Sequence, residues 1–143
     1  MLDRAAVGSV GDGESSYLAD PHVAVGLTAG DGGAAMLPLL IGMMKAKEYV
    51  LLGDKITAPI AKELNLVTRV VADDKVLEEA LGLGERLAAL PAQAVRSSKI
   101  ALNMHLSRAA LGVLEYALAA EYTSFSTQEF KDRVAAFRAR ANK

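Results

Sequence analysis

The stretch His22-Val-Ala-Val-Gly-Leu-Thr-Ala-Gly-Asp31-Gly-Gly33 decides how the rest of the chain is read. An imidazole and a carboxylate nine residues apart bracket a short apolar run, which empties into a glycine-rich turn just ahead of a strongly helical segment. Val23 to Leu27, with Gly26 inside it, reads as a strand buried in an α/β core, because an apolar run without alternation suits a strand covered on both faces. A side chain at the end of such a strand and another in the turn beyond it can meet, since glycine permits the tight reversal. That pair has the chemistry of a site. Imidazole exchanges protons near neutral pH, and a carboxylate on its other nitrogen fixes the tautomer and stabilises the imidazolium, so Asp31 is the expected orienter of His22. A plainer reading stays open, in which His22 caps a strand and Asp31 caps the helix that follows Gly33.

Working outward, the chain before residue 20 carries Gly8, Gly11 and Gly13 among polar residues, with Ala5, Ala6, Val7 and Val10 as its only strand material. One short strand and a loop are expected there. Downstream, apolar residues recur at helical spacing over 34–41 and 43–52, which predicts two short helices meeting at Gly42, with Pro38 in an early turn of the first. Residues 53–59 form a turn in which Thr57 is a good N-cap and Pro59 falls in the first turn of a helix ending near Leu64. A β run is expected from Asn65 to Val71. Asp73 and Asp74 then open a helix whose Val76, Leu77, Ala80, Leu81, Leu87 and Ala88 form one stripe. Pro91 ends it and starts another, helical to about Tyr122 with a break near Ser107. Thr127 caps a last helix carrying Phe130, Val134 and Phe137 at i, i+4 and i+7.

The 143 residues are 52% hydrophobic and 23% charged, which excludes disorder and is enough for one domain with a core. Sixteen basic against 17 acidic residues leave a net charge of -1, so there is no positive field for nucleic acid. With no cysteine there is no disulfide, thiolate nucleophile or cysteine-held zinc. No apolar stretch reaches the roughly 18 residues of a membrane span, and the first residues lack a signal peptide's regions. A soluble cytoplasmic protein is expected, with neither nucleic acid nor membrane as partner. Two or three short strands followed by five or six helices also leave strand edges unpaired, which implies further strands from elsewhere.

Pro21-His22 followed by the glycine turn resembles the second half of the enoyl-CoA hydratase/isomerase (crotonase) superfamily, where a strand ending in Pro-Glu leads through G-x-x-P-G-x-G-G into a helix. The likeness continues along the chain. Leu37-Pro38-Leu39-Leu40-Ile41-Gly42 resembles L-P-R-x-x-G, and Ala46 to Asp54 is similar to A-x-E-x-x-L-T-G-D. Thr57-Ala58 to Val67 resembles S-A-x-E-A-x-x-x-G-L-V with Asn65 for the usual glycine, and Phe130 to Phe137 resembles the terminal E-G-x-x-A-F helix. His22 stands where the hydratase acid/base glutamate is expected, and Asp31 fills a slot that is small and apolar in typical hydratases.

The resemblance implies an α/β fold: a partial crotonase-like ββα spiral with few short strands over residues 1–90, followed by a helical oligomerisation layer over residues 91–143. It implies an acyl-CoA substrate, hydration of a 2-enoyl-CoA in fatty acid metabolism, and a homotrimer or hexamer. No cofactor is implied beyond the coenzyme A of the substrate, and no metal. Gly30, Phe137 and Arg140 are the implied substrate-binding residues, the last two through the adenine and phosphates of CoA, although a solvated helix face explains the basic end equally well. The part of the family that supplies both oxyanion N–H donors, worth about 3 to 4 kcal/mol each, has no match here. An inactive fragment is therefore expected of the chain alone. Two alternatives remain: hydrolysis of a β-diketone or β-keto substrate by His22 and Asp31, and a non-catalytic interaction fragment.

Other motifs carry less. Gly30, Gly32 and Gly33 lack the Lys-Ser/Thr of a phosphate loop. His105 has no metal-spaced partner, the methionines suit core gaps, and Glu78 and Glu79, adjacent on a helix, point apart.

Overall fold

The computed structural model describes residues 12–141. Residue contacts divide the chain into two units, one of residues 1–18 and 56–108 and one of residues 19–55 and 109–143. Ala5 to Val10, the strand material expected before residue 20, lie outside the described residues. The expectation of loop after them is corrected, because residues 12–13 and 17–18 form two short strands by pairing with residues 70–71 and 56–57.

In the first unit the chain forms β1 (Asp12–Gly13), β2 (Tyr17–Leu18), β3 (Ile56–Thr57) and β4 (Val70–Val71). β1 runs parallel to β4 with Asp12 opposite Val70, and β2 runs antiparallel to β3 with Leu18 opposite Ile56. Each strand is two residues long and each sheet two-stranded, so little of the backbone is committed to ladders. The Asp73 carboxylate accepts the Ser15 N–H at 3.1 Å, and bonding to Ser15 holds that acid below the usual carboxylate range. β3 leads directly into α3 (Ala58–Glu63), on which Ala58 and Ala61 are fully buried. Thr57 takes the N-cap position with extended backbone, but its side chain makes no capping bond.

The β run expected from Asn65 to Val71 shrinks to β4. Asn65 adopts φ 59°, and the N–H groups of Leu66 and Val67 both turn back to the Ala61 carbonyl, at 2.8 and 3.3 Å. This is a left-handed helix exit with asparagine in the place of glycine, and it uses the donors a strand would have offered.

The second unit contains α1 (Gly33–Ile41) and α2 (Met43–Leu52), which meet at Gly42 as expected. The helix after β4 is α4 (Val76–Ala88), entered through a 3-10 turn at Asp73–Lys75; α5 covers Ala92–Ser124 and α6 Gln128–Ala141. Residues of α5 up to Arg108 belong to the first unit and those from Ala109 to the second. The break expected near Ser107 is absent: no proline interrupts residues 92–124, and a lone serine or Gly112 costs too little to stop a helix of that length. At the start of α6, Thr127 accepts the Phe130 N–H on its hydroxyl oxygen at 3.3 Å, as a cap should.

The expected strand over Val23 to Leu27 is corrected to a 3-10 turn at Val23–Val25 whose two valines are exposed. Gly26 reverses the chain at φ 85°, and Leu27 donates its N–H to the His22 carbonyl at 2.8 Å. Local bonds thus satisfy donors that a ladder would have needed. The buried apolar residues of this unit are small, Ala29, Ala35, Ala46, Val50 and Ala117, so its helices approach closely. Among the described residues the α4 stripe is not covered, with Leu77 and Leu81 both exposed, and no helix is long and apolar enough to cross a membrane.

Candidate active site

The site forms within the second unit, around the turn that carries His22. Pro21 precedes the histidine and its carbonyl accepts the Val25 N–H at 3.1 Å, so the imidazole stands at the head of a compact loop. The far side of that loop is tied to α5: the Thr28 N–H and hydroxyl both meet the Ser124 hydroxyl oxygen, at 3.3 and 3.1 Å.

Three carboxylates face the ring. Asp20 Oδ1 lies 2.6 Å from Nδ1 and also accepts the His22 backbone N–H at 3.3 Å. On the other nitrogen, Nε2 is 3.8 Å from Asp31 Oδ2 and 3.7 Å from Glu121 Oε1 on α5. The expected hydrogen bond between His22 and Asp31 is therefore corrected. The two charges are neighbours, but the residue bonded to the imidazole is Asp20, which lies two positions before it across Pro21. Asp31 stays in the rim of the site with 59% of its side chain exposed, against 5% for Asp20.

Partial burial lowers the His22 pKa, but the Asp20 hydrogen bond and the negative charges of Asp20, Asp31 and Glu121 outweigh it, so the group titrates above its ordinary value. Its charged form is favoured. An imidazolium in this place is a proton donor near neutral pH that carboxylates can recharge.

Gly30 packs directly on α5. A Cβ built there would meet the Ala117 carbonyl oxygen at 2.8 Å and the Glu121 side chain, so only glycine lets the turn lie this close to Glu121. Neither Asp20 nor Glu121 was singled out from the sequence. Asp20 had a signal in its spacing from His22, whereas nothing in the sequence connects a glutamate 99 positions on (121 − 22).

The family model for enoyl-CoA hydratase/isomerase matches residues 10–142. The chain belongs to the enoyl-CoA hydratase/isomerase family. It is 33% identical over 124 residues to a probable enoyl-CoA hydratase of Rhizobium meliloti, covering 87% of this chain and 48% of that protein. Among solved structures, an enoyl-CoA hydratase/isomerase from Mycobacterium paratuberculosis is 49% identical with TM-score 0.81, over 87% of this chain and 49% of that one. A β-diketone hydrolase from the cyanobacterium Anabaena, bound to (S)-3-oxocyclohexyl acetic acid, is 30% identical with TM-score 0.76, over 85% of this chain and 47% of that one. The chain thus spans about half the length of these relatives, and its mostly helical architecture with few short strands is part of the crotonase fold.

The remaining expected site residues of this family member lie on α6. Phe137 is exposed there, and Arg140 belongs to the same helix although its side chain lies outside the described residues. Asp20, His22 and Asp31 bring potential ligand atoms within 4.8 Å of one another. They do not converge on a single point, because Asp20 is bonded to Nδ1 whereas Asp31 faces Nε2, and the two ring nitrogens direct their lone pairs apart.

Proposed function

We propose that this chain contributes the proton-transfer half of a 2-enoyl-CoA hydratase, with His22 as the acid. The observation that supports it is the carboxylate-bound imidazole at the position where the family's motif has its acid/base residue, held in a setting that favours its charged form. In hydration, the oxygen of water bonds to the β-carbon of the conjugated thioester and the π pair moves toward the thioester oxygen. The α-carbon then takes a proton from Nε2, and the proton lost by the added water restores the imidazolium. The developing oxyanion needs preorganised N–H donors, worth about 3 to 4 kcal/mol each, and these come in this reading from polypeptide outside the matched half of the family.

Coenzyme A enters as part of the substrate, and no other cofactor takes part. Phe137 and Arg140 are assigned to its adenine and phosphates, where a guanidinium can bond a phosphate in bidentate fashion. Gly30 serves the substrate pocket through the backbone turn that carries Asp31. Residues 91–143 provide the contact for a trimer or a dimer of trimers, and the setting is cytoplasmic fatty acid metabolism.

A second reading is favoured by one specific observation: the acid is an imidazole with nearby carboxylates, and the fold is shared with a β-diketone hydrolase at 30% identity. There His22 would take a proton from water as its oxygen attacks one carbonyl, and return it to the carbon released when the bond between the carbonyls breaks.

The two readings separate in one experiment. The chain is joined behind the amino-terminal half of the Mycobacterium paratuberculosis relative and given crotonyl-CoA or a cyclic β-diketone. Hydration of the thioester, falling roughly 10²- to 10⁴-fold in His22→Ala with little change in KM, is the expected result. Cleavage of the diketone without hydration would replace the first reading by the second.

A further inference from the structure

Asp20 is the one buried charged side chain among the described residues, with 6% of its surface exposed. A carboxylate is costly to bury unless its oxygens are bonded, so its place has to be explained by its partners. Oδ1 accepts from both the backbone and the ring of His22, which ties the imidazole to its own main chain at two points. Oδ2 presses on Gly33, the first residue of α1: a Cβ built at Gly33 would collide with Oδ2 and lie 3.0 Å from Cγ. The first turn of α1 contains no acidic residue of its own, so Asp20 brings its negative charge to a helix end that favours one.

We propose that Asp20 is the positioning residue that sets the tautomer of His22, and that Gly33 is the residue whose missing side chain lets Asp20 do so. With Nδ1–H donated to Asp20, Nε2 is the nitrogen that exchanges protons. Asp31 and Glu121, 3.8 and 3.7 Å from Nε2, are then its charged neighbours rather than its anchors. This assignment rests on the reading of His22 as the proton-transfer residue, but the bond that carries it is independent of any substrate.

The test is nitrogen NMR of the 143-residue chain with labelled histidine, His105 providing a reference resonance. The neutral ring of His22 is expected in the Nδ1–H form, titrating above the ordinary value of about 6.5. Asp20→Asn should abolish that preference and lower the titration midpoint, and Gly33→Ala should shift both in the same direction in a chain whose circular dichroism is unchanged. Asp31→Asn should lower the midpoint and leave the tautomer as it was. An Nε2–H tautomer in the unsubstituted chain overturns the proposal, and that measurement decides even where Asp20→Asn fails to fold. A tautomer that changes with Asp31→Asn and not with Asp20→Asn overturns it as well. An Nδ1–H tautomer together with an inactive joined enzyme would instead count against the hydratase reading and leave the role of Asp20 standing.

Discussion

Gly30→Ala tests whether packing, rather than sequence spacing, brings a distant glutamate to His22. The added methyl would lie 2.8 Å from the Ala117 carbonyl oxygen and 2.8 Å from Glu121 Cβ, with Glu121 Oε2 closer still. The side-chain carboxylate can swing away cheaply, but the carbonyl belongs to α5 at a residue that is itself 4% exposed, so the turn or the helix must move. Overpacking of that kind costs about 1–3 kcal/mol. The smaller entropy of alanine in the unfolded chain offsets about 0.4–1 kcal/mol. A net loss of about 1–2 kcal/mol corresponds to a melting temperature lower by roughly 3–7 °C for a chain of this size. A second effect follows from the same displacement. Moving Glu121 away from its 3.7 Å approach to Nε2 removes one of the charges that raise the His22 pKa, so the imidazole should titrate lower than in the unsubstituted chain. Thermal unfolding by circular dichroism and the NMR titration of His22 read the two effects. A Gly30→Ala chain that melts within roughly 1 °C of the parent and titrates identically would refute the reasoning, because the space for a Cβ would then exist.

Three further outcomes are expected. Because the folded His22 pKa lies above its ordinary value of about 6.5, its stabilising contribution is complete below that pH and is lost as pH rises through the folded pKa. The urea midpoint should therefore fall as pH rises above about 6.5, and a His22→Gln chain showing the same fall would contradict the origin assigned to it. The 143-residue chain alone should not hydrate crotonyl-CoA at an enzyme-like rate; steady-state turnover near the ordinary median of about 10 per second would show that no outside oxyanion donors are needed. Leu111, Tyr116 and Tyr122 on α5 are 79%, 77% and 81% exposed, and sedimentation at micromolar concentration should show self-association that covers them. A clean monomer would remove the support for α5 as an assembly surface.

The helices were legible where periodicity and punctuation agreed. Gly42 separates two apolar stretches that each repeat at helical spacing, and α1 and α2 meet there. The Val23 to Leu27 run misled because an unalternating apolar pentapeptide carries no period to read. What settles its shape is Gly26, whose left-handed φ of 85° reverses the chain and whose absent side chain lets it lie against Phe130, where a Cβ would come within 3.0 Å of the backbone. That contact joins residues 104 positions apart (130 − 26), and no local pattern encodes it. Asn65 shows the opposite case. Its family position normally holds glycine, and the left-handed backbone that glycine would have supplied is retained, since asparagine is the side chain that tolerates it best after glycine.

The candidate site was legible in its residue types and not in its partnerships. His22 stood out because an imidazole replaces a glutamate in a recognisable turn, and Asp31 because it is an acid in a slot that is small and apolar in typical hydratases. Choosing Asp31 as the orienter followed from assuming a strand, which would have carried the chain away from His22 and required the glycine turn to bring a carboxylate back. Once residues 23–25 close into a 3-10 turn, the chain beside the ring is the one immediately before it, and Asp20 reaches Nδ1 across Pro21 at 2.6 Å. Asp31 then arrives on the opposite nitrogen, at 3.8 Å, as a charge and not as a hydrogen-bond partner. The distinction matters for the chemistry, because an acid bonded to Nδ1 fixes which nitrogen works, whereas one facing Nε2 sets how readily that nitrogen gives up its proton. A single error in local backbone shape therefore exchanged the roles of two aspartates while leaving the histidine in place.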